Sequence, residues 1–287
     1  MPRTAARPPQ PTRALLPPVD PLRFVPTRER PVRAKARHLR EATEITPHSH
    51  AWAQVVVCAS GVARITAGRS TYLVPAWRAV WIPPQVEHLV SVVEAADLRT
   101  LYVHQEGRRC GPGVAREASA AWRSCRVFEV SALLRELVLQ MDVGMDGAEP
   151  MSPAALERER RLGELALDEL RRAAPVRLGI ELPQDKRLRA LCEAVLQDPA
   201  RHDTLDGWAR ETAASPRTVA RLFRQQLDTS FGPWRQQVLL AHALRLAAQG
   251  KPMALIAAEL GYASPSAFSA MVRRAVGQPP SRFFATA

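Results

Sequence analysis

"AASPRTVARLF" occupies residues 213–223 and "YASPSAFSAMV" residues 262–272. The tripeptide Ala-Ser-Pro therefore recurs 49 positions apart, at 214–216 and at 263–265. Each copy reads as a helix start: Ser caps the free N–H groups, and Pro stands in the first turn, where its missing N–H costs nothing. Behind Ser215, the apolar residues Val219, Leu222 and Phe223 recur at helical spacing; behind Ser264, Phe268, Met271 and Val272 do the same. Ahead of each cap lies a shorter apolar face, Leu205, Trp208 and Ala209 in one copy and Ile256, Ala257 and Leu260 in the other. Gly261 then supplies a turn residue that tolerates positive φ. The exits match as well: "DTSFGPWR" (228–235) and "GQPPSRFF" (277–284) place Trp234 and Phe283 equivalently. Between the copies, "GPWRQQVLLAHALRLAAQGK" (232–251) reads as one long helix.

Two small helices joined by a tight turn form a helix-turn-helix, whose second helix can enter a DNA major groove. The second helices, about 216–226 and 265–276, carry no acidic residue, and Arg217, Thr218, Arg221 and Arg224 fall on the outer side of the first. A helical bundle with a tandem repeat would need neither the caps nor the acid-free outer faces.

Charge agrees with a polyanion partner at the chain's ends. The formal charge is +12, of which residues 1–36 hold +6 and residues 186–287 hold +7, leaving −1 for the centre. Four scattered cysteines, Cys58, Cys110, Cys125 and Cys192, read as reduced thiols. No apolar run approaches the roughly 18 residues of a membrane span, and no signal-peptide core is present, so the expectation is a cytoplasmic protein without a membrane partner.

Residues from about 185 to 287 resemble the DNA-binding domain of AraC/XylS-type transcription regulators. Gly261, Tyr262, Ser266, Phe268, Gly277, Pro280 and Phe283 carry the resemblance. Departures are Ala213 and Asp228, where Gly is frequent, and Val272 in place of Phe. The resemblance implies two helix-turn-helix units reading adjacent major grooves of promoter DNA, and a partner RNA polymerase, with activation the commoner outcome. Arg217, Thr218 and Arg221 are then placed at the first groove, and Ser266, Ser269 and Arg273 at the second. Arg224, Arg274 and Arg282 are assigned to phosphates.

The N-terminal part reads differently. Residues 1–36, rich in Pro and Arg, show no period and are expected to form a disordered tail. From 37 to about 135 the pattern turns to short Val/Ile/Trp/Tyr-rich runs broken by Gly and Pro, as in "AQVVVCASGVARITAG" (53–68), which suggests a β-barrel or jelly roll. Residues 136–184 form a helical connector with a linker at 175–183, and Leu134, Leu137, Leu165 and Leu170 serve either a homodimer interface or packing on the barrel. The fold class is thus α+β in two domains, a cupin-like barrel followed by an all-α domain with two helix-turn-helix motifs.

His48 and His50 alternate on one strand, and His88 follows a Pro-rich turn. Their order resembles that of the cupin fold, in which two early His, an acidic residue and a later His surround a divalent metal. Gln54 stands at the acidic position, so two readings remain open: a metal site completed by Gln54 or water, and a metal-free barrel using these side chains for a small-molecule effector or for packing. A catalytic cupin and an architectural DNA binder are the rivals from other functional classes. Enzymes rarely carry two helix-turn-helix units, and position-specific losses on mutation would separate a regulator from an architectural protein.

Overall fold

The computed structural model describes residues 14–18, 20–68, 70–107, 109–141, 143–145, 151–176, 179–211, 215–277 and 279–284. Its strands are β1 (Ala14–Leu16), β2 (Val32–Leu39), β3 (Thr43–His48), β4 (Ala53–Ala67), β5 (Ser70–Pro75), β6 (Arg78–Ile82), β7 (His88–Val103), β8 (Arg126–Glu129), β9 (Pro175–Val176) and β10 (Gly179–Glu181). Its helices are α1 (Ala132–Gln140), α2 (Pro153–Arg172), α3 (Lys186–Gln197), α4 (Leu205–Glu211), α5 (Pro216–Leu227), α6 (Phe231–Ala248), α7 (Met253–Glu259), α8 (Pro265–Val276) and α9 (Pro280–Phe283).

The long strands β4 and β7 pair antiparallel and organise the sheet. On its outer edge β7 pairs first with β3 and then with β2, and β4 pairs with β6 and then with β5. Register shifts between Cys58 and Ala63 bend β4 at Gly61, whose φ is +74°. A Cβ there would lie 2.0 Å from the Ala95 carbonyl oxygen, so only glycine fits. Val56, Val80 and Leu98 from one half of the sheet share a core with Ile45, Ile65 and Val90 from the other. The sheet therefore folds over on itself in the manner of a jelly roll.

Two expectations for this half need correction, and one open choice closes. The tail was expected to be structureless to residue 36, yet β1 pairs parallel with β3 and β2 pairs along its whole length with β7. Val32 and Ala34 bury, while Arg30 and Arg33 reach Glu159 of α2, at 2.7 Å and 3.3 Å, so charges counted as solvated are paired inside the fold. Residues 1–13 lie outside the described residues. Next, of the two uses open for α1 and α2 the packing one holds: Leu134, Ala166 and Leu170 pack on Val55, Val57 and Trp81 of the sheet. Of the four leucines offered for an interface, Leu134, Leu137 and Leu170 are buried within the chain and Leu165 alone is exposed. Last, the linker at 175–183 contains β9 and β10, which pair with β8 and β5; residues 177 and 178 lie outside the described residues.

The helical half follows the repeat. Val219, Phe223, Trp208 and Ala209 are buried in the first unit, and Ile256, Ala257, Leu260, Phe268, Met271 and Val272 in the second. The two halves are packed together. Val62, Leu73 and Ile180 share a core with Leu191, Trp208 and Trp234, and Trp234 Nε1 donates to the Glu181 carbonyl at 2.8 Å. Glu94 of β7 accepts from Arg245 and Gln249 at 2.6 Å each. All four cysteines are free thiols.

Candidate DNA-binding surface and effector site

Ser215 Oγ accepts from the Thr218 N–H at 3.1 Å and Ser264 Oγ from the Ala267 N–H at 3.2 Å, so both caps form where the repeat places them. Ala213 and Ala214 lie outside the described residues. Pro216 and Pro265 occupy the first turns of α5 and α8. Both helices also end alike, on a left-handed residue: Asp228 at φ 48° and Gly277 at φ 74°. Arg217, Arg221 and Arg224 are exposed on α5, and Thr218 is half-buried, its Oγ1 also in contact with Ser215 Oγ at 2.9 Å. Arg221 donates to Gln225 Oε1 at 2.7 Å, within its own helix. On the second unit Ser266, Arg273, Arg274 and Arg282 are exposed and Ser269 is half-buried. Each unit thus presents an exposed polar and basic helix face, and α6 connects the two.

The histidines come together inside the sheet domain. Ring centroids of His48 and His88 lie 4.3 Å apart, His50 and His88 5.3 Å, and His48 and His50 6.2 Å. Each Nδ1 contacts a main-chain carbonyl: His48 that of Thr46 at 2.9 Å, His50 that of Trp52 at 2.8 Å, and His88 that of Val86 at 2.9 Å. A carbonyl only accepts, so Nδ1 carries the proton and Nε2 the lone pair in every ring. Burial lowers all three pKa values, that of His88 to about 3, and keeps the rings neutral. His50 Nε2 lies 2.7 Å from Gln54 Oε1; with the proton on Nδ1 the contact is a hydrogen bond once the amide is turned to present its NH2 group. His88 Nε2 is buried without a hydrogen-bond partner.

Two basic residues that the sequence reading did not single out share this interior. Lys35 Nζ donates to the Tyr102 hydroxyl at 2.6 Å, and burial lowers its pKa to about 8, so it remains charged at neutral pH. With Arg37, His48 and Gln54 it lines a cavity of about 20 Å³, room for about one water molecule. The signal for both is the alternation of "VRAKARHL" (32–39), in which Arg33, Lys35 and Arg37 share one face; a boundary drawn at residue 36 cuts that strand in two and leaves Lys35 in the tail. This donor set does not fit a divalent cation. An ammonium group stands beside the imidazoles, no carboxylate offsets it, and His50 is already committed to Gln54. Among the described residues, no three His, Cys, Asp or Glu side chains are arranged to hold an ion.

Comparison with known proteins decides the family. The model of a helix-turn-helix domain matches residues 208–286, and that of an AraC-like ligand-binding domain matches residues 15–173, more than half of the chain. The chain belongs to the AraC family. The HTH-type transcriptional regulator NimR of Escherichia coli (strain K12) is 30% identical over 240 residues, 83% of this chain and 81% of that protein. The arabinose operon regulatory protein of Salmonella typhimurium is 30% identical over 116 residues, 40% of this chain and 41% of its own. Among solved structures, ToxT of Vibrio cholerae aligns over 89% of this chain and 98% of its own at 9% identity, with a TM-score of 0.36, too low to carry an argument.

As an AraC-family member, the chain is a DNA-binding transcription regulator with a ligand-binding domain, not a catalytic cupin. The family match to the ligand-binding domain runs from β1 to the residue after α2, which agrees with the packing of α1 and α2 on the sheet. Among the described residues, no helix is long and apolar enough to cross a membrane.

Proposed function

We propose that this regulator binds promoter DNA with α5 and α8 in neighbouring major grooves. Arg217, Thr218 and Arg221 read bases in the first groove, and Ser266, Ser269 and Arg273 in the second; Arg224, Arg274 and Arg282 hold phosphates. The observation that carries this reading is the pair of capped, acid-free, exposed helix faces joined by the single helix α6. A small-molecule effector acts through the sheet domain, RNA polymerase is the downstream partner, and the protein works in the cytoplasm. A homodimer would use the large apolar residues left exposed on α1 and α2, Leu133, Leu156 and Leu165. In this reading His48, His50, Gln54 and His88 form a hydrogen-bonded interior network and hold no metal.

Selection of genomic fragments by the purified protein at physiological salt is the test. A shared site with two blocks about one helical turn apart is expected. Recovery of DNA without a common sequence, together with steep salt dependence, would replace this reading by an architectural one.

A further inference from the structure

The 49-residue offset of the repeat holds in three dimensions, so α5 and α8 compare position by position. Their caps, Ser215 and Ser264, match, and so do their left-handed ends, Asp228 and Gly277. The buried pair Val219 and Phe223 falls on the buried pair Phe268 and Val272. On this shared frame the outer faces differ. Arg217 and Arg221 of α5 are matched by Ser266 and Ala270 of α8, all four exposed, and the half-buried Thr218 is matched by the exposed Ala267.

A recognition helix meets base edges with its N-terminal residues, so these are the positions that choose sequence. Arg217 and Arg221 lie four residues apart on one side of α5, a rise of about 6 Å, which spans about two base pairs. Arg221 spends one Nη1 proton on the neutral Gln225 side chain, at 2.7 Å, and keeps its charge and its other donors. A guanidinium fork fits the O6 and N7 acceptors of guanine, and no other base presents two acceptors in the major groove. The start of α8 has no such group. Its serine hydroxyl suits any base, whereas its alanine methyls distinguish bases only by contact with the C5-methyl of thymine. Arg273, the long reader of α8, comes more than two turns after the cap.

We propose that the two helices read unlike DNA: α5 requires guanines, held by Arg217 and Arg221, and α8 takes thymines, recognised through their methyl groups by Ala267 and Ala270. The operator is then a guanine block followed by a thymine block, in which any required guanine of the second block is confined to the pair facing Arg273. Because the blocks differ, the protein docks on its site in one direction only. The assignment rests on α5 and α8 being the two groove helices, and it adds the class of DNA that each selects.

Fragment selection with the full-length protein supplies the site, and binding titrations on synthetic variants of that site read the chemistry. Replacing guanine by 7-deazaguanine removes N7 alone. In the first block this should weaken binding about tenfold, and the loss should vanish in Arg217→Ala or Arg221→Ala, whichever faces that base. Replacing thymine by deoxyuridine removes only the methyl group. In the second block this should weaken binding about fourfold for each methyl in contact, and the penalty should shrink in Ala267→Ser or Ala270→Ser. These four substitutions are on the outer faces of the helices, away from the core. Two or more required guanines in the second block, deoxyuridine without effect there, or 7-deazaguanine without effect in the first block would overturn the proposal. A two-block site of other composition would leave the promoter-binding reading standing, whereas DNA with no shared sequence would remove that reading and this one with it.

Discussion

Arg217 and Arg224 are both exposed on α5, seven residues apart, yet they are assigned different work. Arg217 stands in the first turn, the part of a recognition helix that meets base edges. Arg217→Ala should lose about 1–3 kcal/mol at one or two base pairs of a selected site. Arg224→Ala should weaken all sequences alike and lower the salt slope by about one ion. Binding titrations on single-base operator variants separate the two, and a uniform loss for Arg217 would move it to the phosphate class. His242 gives a different residue-scale expectation. Burial on α6 lowers its pKa from the ordinary 6.5 to about 4, so the folded protein keeps it neutral where the unfolded chain takes up a proton. Its stabilising contribution is complete above pH 6.5 and falls away as the pH drops toward 4, by up to about 1.4 kcal/mol per pH unit. His88, lowered to about 3, acts in the same direction. Urea unfolding between pH 4.5 and 7.5 should show a shallower slope for His242→Gln than for the parent protein.

At the scale of elements, the two helix-turn-helix units differ most at the ends of their recognition helices. Asp228 and Gly277 both take the left-handed conformation, which costs a residue with a Cβ about 1 kcal/mol more than glycine. Asp228→Gly should therefore raise the unfolding free energy by about that amount, measured by denaturant titration. The starts of the helices are equivalent, and Ser264→Ala should cost about 1 kcal/mol by removing the only side-chain cap of α8. The helix starts were legible in the sequence; the left-handed ends were not. Caps, turn residues and three-and-four spacing act within one helix length, so most of the faces named from the repeat are the ones the fold buries, with Leu205 and Leu222 only half-buried at their edges. β2 was not legible in the same way. Its alternation is as regular, but it alternates small apolar residues with arginine and lysine, and composition alone assigns such a stretch to solvent.

For the whole molecule, the decisive pairings join residues far apart in the chain. Glu159 on α2 is buried and accepts from Arg30 through both carboxylate oxygens, at 2.7 and 2.9 Å, while Arg33 lies 3.3 Å from it. Glu159→Ala would remove the carboxylate beside the buried Arg33, which keeps its bond to the Gly144 carbonyl at 2.9 Å, and should cost about 3 kcal/mol, read as a loss of unfolding free energy. The same contacts make residues 14–36 indispensable to the sheet, so removing residues 1–36 should yield a protein that no longer unfolds in one cooperative transition. Residue pattern alone was sufficient for the double helix-turn-helix, for its caps, and for a sheet-rich domain ahead of it, because those features depend on neighbours within a few positions. Burial decided the rest. Whether a lysine sits in solvent or beside three imidazoles depends on which strand folds over it. Whether α1 and α2 are a connector or a lid depends on the apolar face opposite them. And a space of about 300 Å³ between Arg64 and Arg245 exists only because two separately legible domains close on each other, a contact between residues about 180 positions apart that no local period encodes.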